Sequence, residues 1–322
     1  MTMIPTERRF KRVIAFEVSK HSLVVHRLPE DEQVTIANEG RAIARLLARW
    51  QAGAPVLVVC EATGGYERHV LEAAEAAGLT LHRAHGSRVR AFARYLGHRA
   101  KTDPLDARLI ARYGLETPGL RLYSPPPPEQ AALRALRGRR DEIAVMARME
   151  ENRLEQAVHE RVRRSLATQL AALTAELAAL EREIAALIAA DDRLARRAAL
   201  MQSVKGIGPK TAAAILAYLP ELGTLSRGGA AALVGLAPYA DDSGRQRGVR
   251  HVAGGRADAR KSLYMAAVVA MTHNPAIRDW ASSLRQRGKP PKLVITAVMR
   301  KLIVVLNAIL REEKPCRLNQ QP

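Results

Sequence analysis

The sequence predicts a mixed α/β domain at the N-terminus, a helical insertion, and a mainly α-helical C-terminal domain. Three observations carry this. Short β-branched runs separated by polar turns fill the chain up to about residue 96. Leucines then recur in steps of four and three through the middle. Past Ala199 the apolar pattern is helical and is interrupted by glycine-containing loops.

In order, RVIAFEVS (12–19), SLVVHRL (22–28) and QVTIAN (33–38) read as three strands. A helix around Ala42–Gln51, a strand at Val56–Cys60, a helix around Glu67–Ala77, the strand LTLHRA and a helix from about Arg88 to Leu96 follow. The order β-β-β-α-β-α-β-α describes a mixed sheet with helices on its faces, the ribonuclease-H-like topology. In that topology acids from the first and fourth strands meet acids from a late helix, and Glu17, Glu61 and the pair Asp103 and Asp106 fall on those three elements. Each of the first two acids closes or interrupts an apolar run, so a buried strand presents it at its carboxyl end, where open α/β sheets place their sites. The i, i+3 spacing of the pair puts both carboxylates on one helical face. Four oxygen donors at one sheet end suit Mg²⁺ or Mn²⁺. Each piece also has a plainer explanation: Asp103 as a helix N-cap with Pro104 at the first helical position, Glu61 as a rim charge, Glu17 on an edge strand.

The proline run 125–128 is unsuited to helix or central strand, and it ends the first domain, 1–124. In the next region, 125–200, Leu166, Leu170, Leu173, Leu177, Leu180, Ile184 and Leu187 form a heptad row, for a partner chain's helix or for a hairpin folded on itself. The C-terminal domain, 201–322, opens with SVKGIGPKTAAAIL, the spacing of a helix-hairpin-helix. Gly206 and Gly208 permit the tight turn, and exposed amides at the second helix N-terminus hold a DNA phosphate, aided by Lys205 and Lys210. An ordinary helix end followed by a proline-started helix fits the same letters. Next, Ser243 sits in a glycine-containing loop among Asp241, Asp242, Arg245, Arg247, Arg250, His251, Arg256 and Arg260. A serine hydroxyl attacks phosphorus when something takes its proton and arginines stabilise the charge building on the phosphoryl oxygens; Arg245 and Arg247 are the candidates. KLVITAVMRKLIVVLNAIL reads as a buried helix that charge interrupts too often for a bilayer span.

Composition narrows the partners. The 322 residues carry 51 Lys plus Arg against 32 Asp plus Glu, a formal charge of +19. Such an excess points to a polyanion, because each phosphate neutralised releases a counterion. With 4% aromatic residues, no amphipathic helix with aromatic anchors and no signal-peptide core at the N-terminus, no membrane is expected. Two cysteines, Cys60 and Cys316, are too few for a disulfide framework or a cysteine zinc site, which leaves a reducing cytoplasm as the expected compartment.

Taken together, FEVSK, CEATGGYE, KTDPLDAR, the leucine heptads, VKGIGPKTA, GLAPYADDSG and GGRADARKSLYMAAVVA resemble the DEDD-type transposases of bacterial insertion sequences, a group of bridge-RNA-guided serine recombinases, from about Arg12 to Leu310. The resemblance implies a RuvC-like N-terminal domain with Glu61, Asp103 and Asp106 as metal-coordinating acids and Ser243 as nucleophile. It further implies a multimer, dimer or tetramer, in which the serine domain of one subunit meets the acidic site of another. A structured RNA encoded by the element would pair with double-stranded donor and target DNA in a bacterial cytoplasm, at the nucleoid. One position departs from the pattern: the family's first acid is Asp, and Glu17 stands there. The expected activity is cutting and rejoining of DNA through a phosphoserine intermediate. The alternatives are a metal-dependent nuclease of the Holliday-junction-resolving kind and an impaired protein that only binds nucleic acid.

Overall fold

In β1 (Arg12–Val18), four consecutive residues, Val13 to Phe16, are fully buried. Alternation sends Ile14 and Phe16 into one apolar cluster and Val13 and Ala15 into another, so the strand is covered on both faces. The structure is a computed structural model that describes residues 10–51, 55–97, 106–239 and 251–316. By its internal contacts the chain divides into two units, Met1–Pro125 and Pro126–Pro322.

In the first unit, β1 pairs antiparallel with β2 (Ser22–Leu28), which pairs antiparallel with β3 (Glu32–Ala37). On its other side β1 runs parallel to β4 (Val56–Glu61), and β4 runs parallel to β5 (Thr80–Ala84). The five-stranded order β3-β2-β1-β4-β5 is compatible with the expected ribonuclease-H-like sheet. The helices α1 (Gly40–Trp50) and α2 (Arg68–Ala76) bury Ile43, Leu47, Val70 and Ala74 on the Ile14/Phe16 face. On the opposite face lie α3 (Gly86–Tyr95) and α4 (Ala107–Glu116), contributing Val89, Ile110 and Tyr113. Gly114 lets α4 lie close on the sheet: a Cβ there would stand 2.7 Å from Val59 Cγ2.

The start of α4 corrects the expected cap. Asp106 itself is the N-cap, in extended conformation, and its carboxylate accepts from the Leu109 amide at 2.5 Å. Asp103 and Pro104 lie outside the described residues.

The second unit begins with α5 (Pro128–Gln156) and α6 (Glu160–Ala190), packed along each other as a hairpin. Pro128 is inside α5, contrary to the expectation that the proline run excludes helix. At the first helical position its missing N–H has no intrahelical acceptor to lose. Of the heptad row, Leu180 and Ile184 are buried and Leu166 to Leu177 half-buried, while Arg140 of α5 reaches Glu181 of α6 at 2.7 Å. Then come α7 (Asp192–Gln202), α8 (Pro209–Tyr218), α9 (Arg227–Leu233), a ribbon of β6 (Pro238–Tyr239) with β7 (His251–Val252), α10 (Ala257–His273), α11 (Pro275–Gln286) and α12 (Pro291–Glu312).

Among the described residues α12 alone is long and apolar enough to cross a membrane, with mean hydropathy 2.1 over its most apolar stretch. It is instead half-buried in the core of this unit, where Val294, Val298, Leu302, Ile303 and Leu306 are sealed from solvent. The buried polar groups beside it are paired. Asn307 accepts from the Gly223 amide and donates to Leu225 O, each at 2.8 Å, and Asn274 caps α11.

Candidate active site

Strand register brings the first two acids together. Phe16 is opposite Cys60 in the parallel β1–β4 pairing, so the next residues on the two strands, Glu17 and Glu61, are neighbours. Both follow the odd-numbered side chains Val13, Ala15, Leu57 and Val59 onto the face covered by α3 and α4. The N-cap Asp106 opens α4 on that same face. The Glu17 carboxyl is raised above the usual Glu range, first by burial, then by the negative charges of Asp106 and Glu61.

Among the described residues no three His, Cys, Asp or Glu side chains close into a ready-made metal cage. The charges of Glu61 and Asp106 act on Glu17, but the three carboxylates do not close on one point. Their chemistry nevertheless fits a divalent ion: the set is all hard oxygen donors, and the repulsion that Asp106 and Glu61 exert on Glu17 is what a cation relieves. Glu17, Glu61 and Asp106 are the described residues that would hold it.

The loop after Glu61 is locked by a residue that the motif reading passed over. Glu67, 2% exposed, accepts from the Gly65 amide at 2.8 Å, the Thr63 amide at 3.2 Å and the Thr63 hydroxyl at 3.0 Å, and it pairs with Arg83 of β5. Burial pushes its carboxyl up. The amide bonds, the Thr63 hydroxyl and the Arg83 charge outweigh that, and the group sits below the usual range. A second acid six residues after Glu61, behind two glycines, was the available signal. Behind this loop a cleft of about 390 Å³ is lined by Lys20, Asn38, Arg68 and Arg83 among others. Its basic rim at the same end of the sheet suits a phosphate backbone.

In the second unit the turn VKGIG joins α7 to α8. Val204 and Ile207 are buried, and Gly206 has φ +108°, where a Cβ would stand 2.6 Å from Ala270 Cβ. Gly208, the N-cap of α8, is exposed, and a Cβ there would meet nothing within 4 Å. Lys205 and Lys210 are exposed beside it, with Lys210 2.9 Å from Glu181. Arg256 is bidentate to Glu221 at 2.6 and 2.7 Å and reaches Tyr218 O. The segment 240–250, with Ser243, Arg245, Arg247 and Arg250, lies outside the described residues.

What frames that segment is well built. Tyr239 pairs with His251 across the β6–β7 ribbon. Three glycines beside the ribbon in sequence come into close backbone contact: a Cβ on Gly235 would stand 2.0 Å from Gly254 O, and one on Gly255 2.0 Å from Gly235 N. Arg260 ties the crossing by donating to Val234 O and Gly254 O at 3.2 and 2.7 Å.

Comparison with known proteins places the chain in a family. Residues 18–163 match the IS110-type DEDD transposase family, and residues 198–281 match the transposase family IS116/IS110/IS902. The pilin gene-inverting protein of Moraxella lacunata is 30% identical over 263 residues, 80% of this chain and 81% of that protein. The chain belongs to the IS110 family of DEDD transposases. The Moraxella bovis pilin gene-inverting protein is 31% identical over 232 residues, covering 70% and 71% of the two chains. An uncharacterised insertion element IS110 protein of Streptomyces coelicolor is 31% identical over 116 residues, 35% of this chain and 28% of its own. The transposase is therefore a DNA recombination enzyme, its substrate is DNA, and its acidic domain is of a type that depends on divalent metal.

Proposed function

We propose that this IS110-family transposase cuts and rejoins DNA with two sets of groups: the acids Glu17, Glu61, Asp103 and Asp106 in a RuvC-like domain, and Ser243 in the C-terminal domain. The observation that supports the reading is the register that makes Glu17 and Glu61 neighbours at the carboxyl end of β1 and β4, with Asp106 opening α4 on the same face. An Mg²⁺ or Mn²⁺ ion held there would polarise the scissile phosphate. The Ser243 hydroxyl attacks phosphorus in line and loses its proton, forming a phosphoserine ester to one DNA end and leaving a hydroxyl on the other. Arg245 and Arg247 stabilise the charge on the phosphoryl oxygens. The ester conserves the energy of the broken bond, so rejoining needs no nucleotide cofactor. That the Moraxella relatives are pilin gene-inverting proteins supports rejoining, since an inversion is complete only when every cut end is sealed.

The remaining assignments are part of the same reading. The α7–α8 hairpin acts as a helix-hairpin-helix, with Lys205, Gly206, Gly208 and Lys210 on a phosphate. Arg250 adds a further backbone contact, and any contact by Arg256 is made alongside Glu221. The hairpin α5–α6 serves as the coiled-coil oligomerisation region of a dimer or tetramer, between the acidic and C-terminal domains. A structured RNA of the element chooses the DNA sites, which leaves base reading to nucleic-acid pairing.

The test is a denaturing gel of the protein incubated with its RNA, Mg²⁺ and element-junction DNA. A covalent protein–DNA adduct that disappears in Ser243→Ala is the expected result. Cutting without an adduct, unchanged in Ser243→Ala, would make the enzyme a water-using nuclease.

A further inference from the structure

Gly86 is the first residue of α3, and its backbone gives no reason for a glycine there. Its φ lies outside the left-handed region, and alanine is the better helix former. The reason lies across the sheet edge. A Cβ on Gly86 would stand 2.1 Å from Glu61 Oε1 and 3.3 Å from the Glu61 carboxyl carbon, with Arg90 Nη2 3.7 Å away. The volume a side chain would take is filled by the Glu61 carboxylate. A matched position shows the contrast: Gly40 opens α1 in the same unit, and a Cβ there would meet nothing within 4 Å.

We propose that Gly86 is a positioning residue for the transposase reaction: its missing side chain is the seat of the Glu61 carboxylate, and it keeps that carboxylate in place beside Glu17 and Asp106. The inference rests on the reading of these acids as a divalent-ion site. The contact falls on the far end of a flexible side chain, so an alanine at 86 is accommodated by turning Glu61 aside and leaves the backbone in place. The fold keeps its stability while the donor set loses its geometry. Displacing a group that orients metal ligands lowers affinity by about 10–100-fold.

The experiment is a Mn²⁺ titration of the full chain without DNA, reading free Mn²⁺ by electron paramagnetic resonance, for wild type, Gly86→Ala and Gly40→Ala, with thermal midpoints alongside. Expected is a drop of about tenfold or more in Mn²⁺ affinity for Gly86→Ala at an unchanged or higher midpoint, with Gly40→Ala like wild type. Wild-type binding that Gly86→Ala leaves intact overturns the inference alone, as does an equal loss in Gly40→Ala. No saturable binding by wild type overturns the metal reading beneath it.

Discussion

On the proposed reading, the two units of the transposase place their chemistry by different means. In the first, Glu17 and Glu61 are neighbours because parallel strands are in register, and the chemistry sits on side chains at the ends of buried runs. In the second, the segment carrying Ser243 leaves a two-residue ribbon whose base is set by glycine backbones in contact, Gly235 against Gly254 and Gly255. The same Gly→Ala change therefore means different things. At Gly86 the added methyl meets the tip of a mobile carboxylate; at Gly255 it meets main chain at φ +69°. A register-built site tolerates small changes in backbone stability and is sensitive to side-chain position. A backbone-built frame is the reverse.

The largest effect expected is on chemistry in the first unit. Glu61→Gln should keep the fold and lower DNA cutting by about a hundredfold or more, since losing even an outer partner of a metal ligand costs 10–100-fold; a steady-state cutting assay checks it, and near-wild-type activity would break the comparison. Next is Gly255→Ala, where the Cβ would meet Gly235 N at 2.0 Å in a left-handed conformation. Steric overpacking of this kind costs about 1–3 kcal/mol, and the change should appear as a lower denaturation midpoint with the Mn²⁺ affinity of the acidic site unchanged.

A pH effect sharpens the first half of the comparison. Glu67 has its carboxyl held below the usual 4.5, so it contributes stability that is present above that value and lost as pH falls through its folded-state pKa. Glu67→Gln should lower the thermal midpoint at neutral pH, and the difference from wild type should narrow in acid. A constant difference across the acid limb would count against the Glu67 lock. Glu17 has the opposite sign. Its carboxyl is raised, so its charge opposes folding above the ordinary Glu value, and stability falls as pH rises through that window. Glu17→Gln is expected to raise the neutral-pH midpoint slightly in metal-free buffer while abolishing cutting; a fall in the midpoint would contradict the crowding.

How much the sequence disclosed follows the same divide. Glu17 and Glu61 were legible because β1 and β4 are buried on both faces and so read as unbroken apolar runs ending in acids. The helix after them was legible, but its cap was not. Asp103 and Asp106 both suit a cap by residue type and spacing, and the structure has Asp106 as the N-cap of α4. Glu67 escaped because its partner Arg83 lies on β5, 16 positions later, and Gly86 because its reason is a carboxylate 25 positions earlier in the chain. In the second unit the heptad leucines were visible, while the α5 partner row, interrupted by Arg137 and Arg140, was not. Glycines 235 and 255 are 20 residues apart, and nothing local marks them as a touching pair.

The most direct test of the claim that the acids and the serine serve one reaction is a mixing experiment with Glu61→Gln and Ser243→Ala proteins of different tagged size. Each alone should form no adduct. If the serine domain of one subunit works with the acidic site of another, the mixture should recover the covalent adduct on the Glu61→Gln chain, which keeps its serine. An adduct formed by Glu61→Gln alone at the wild-type level would contradict the account, because the serine would then act without the acids.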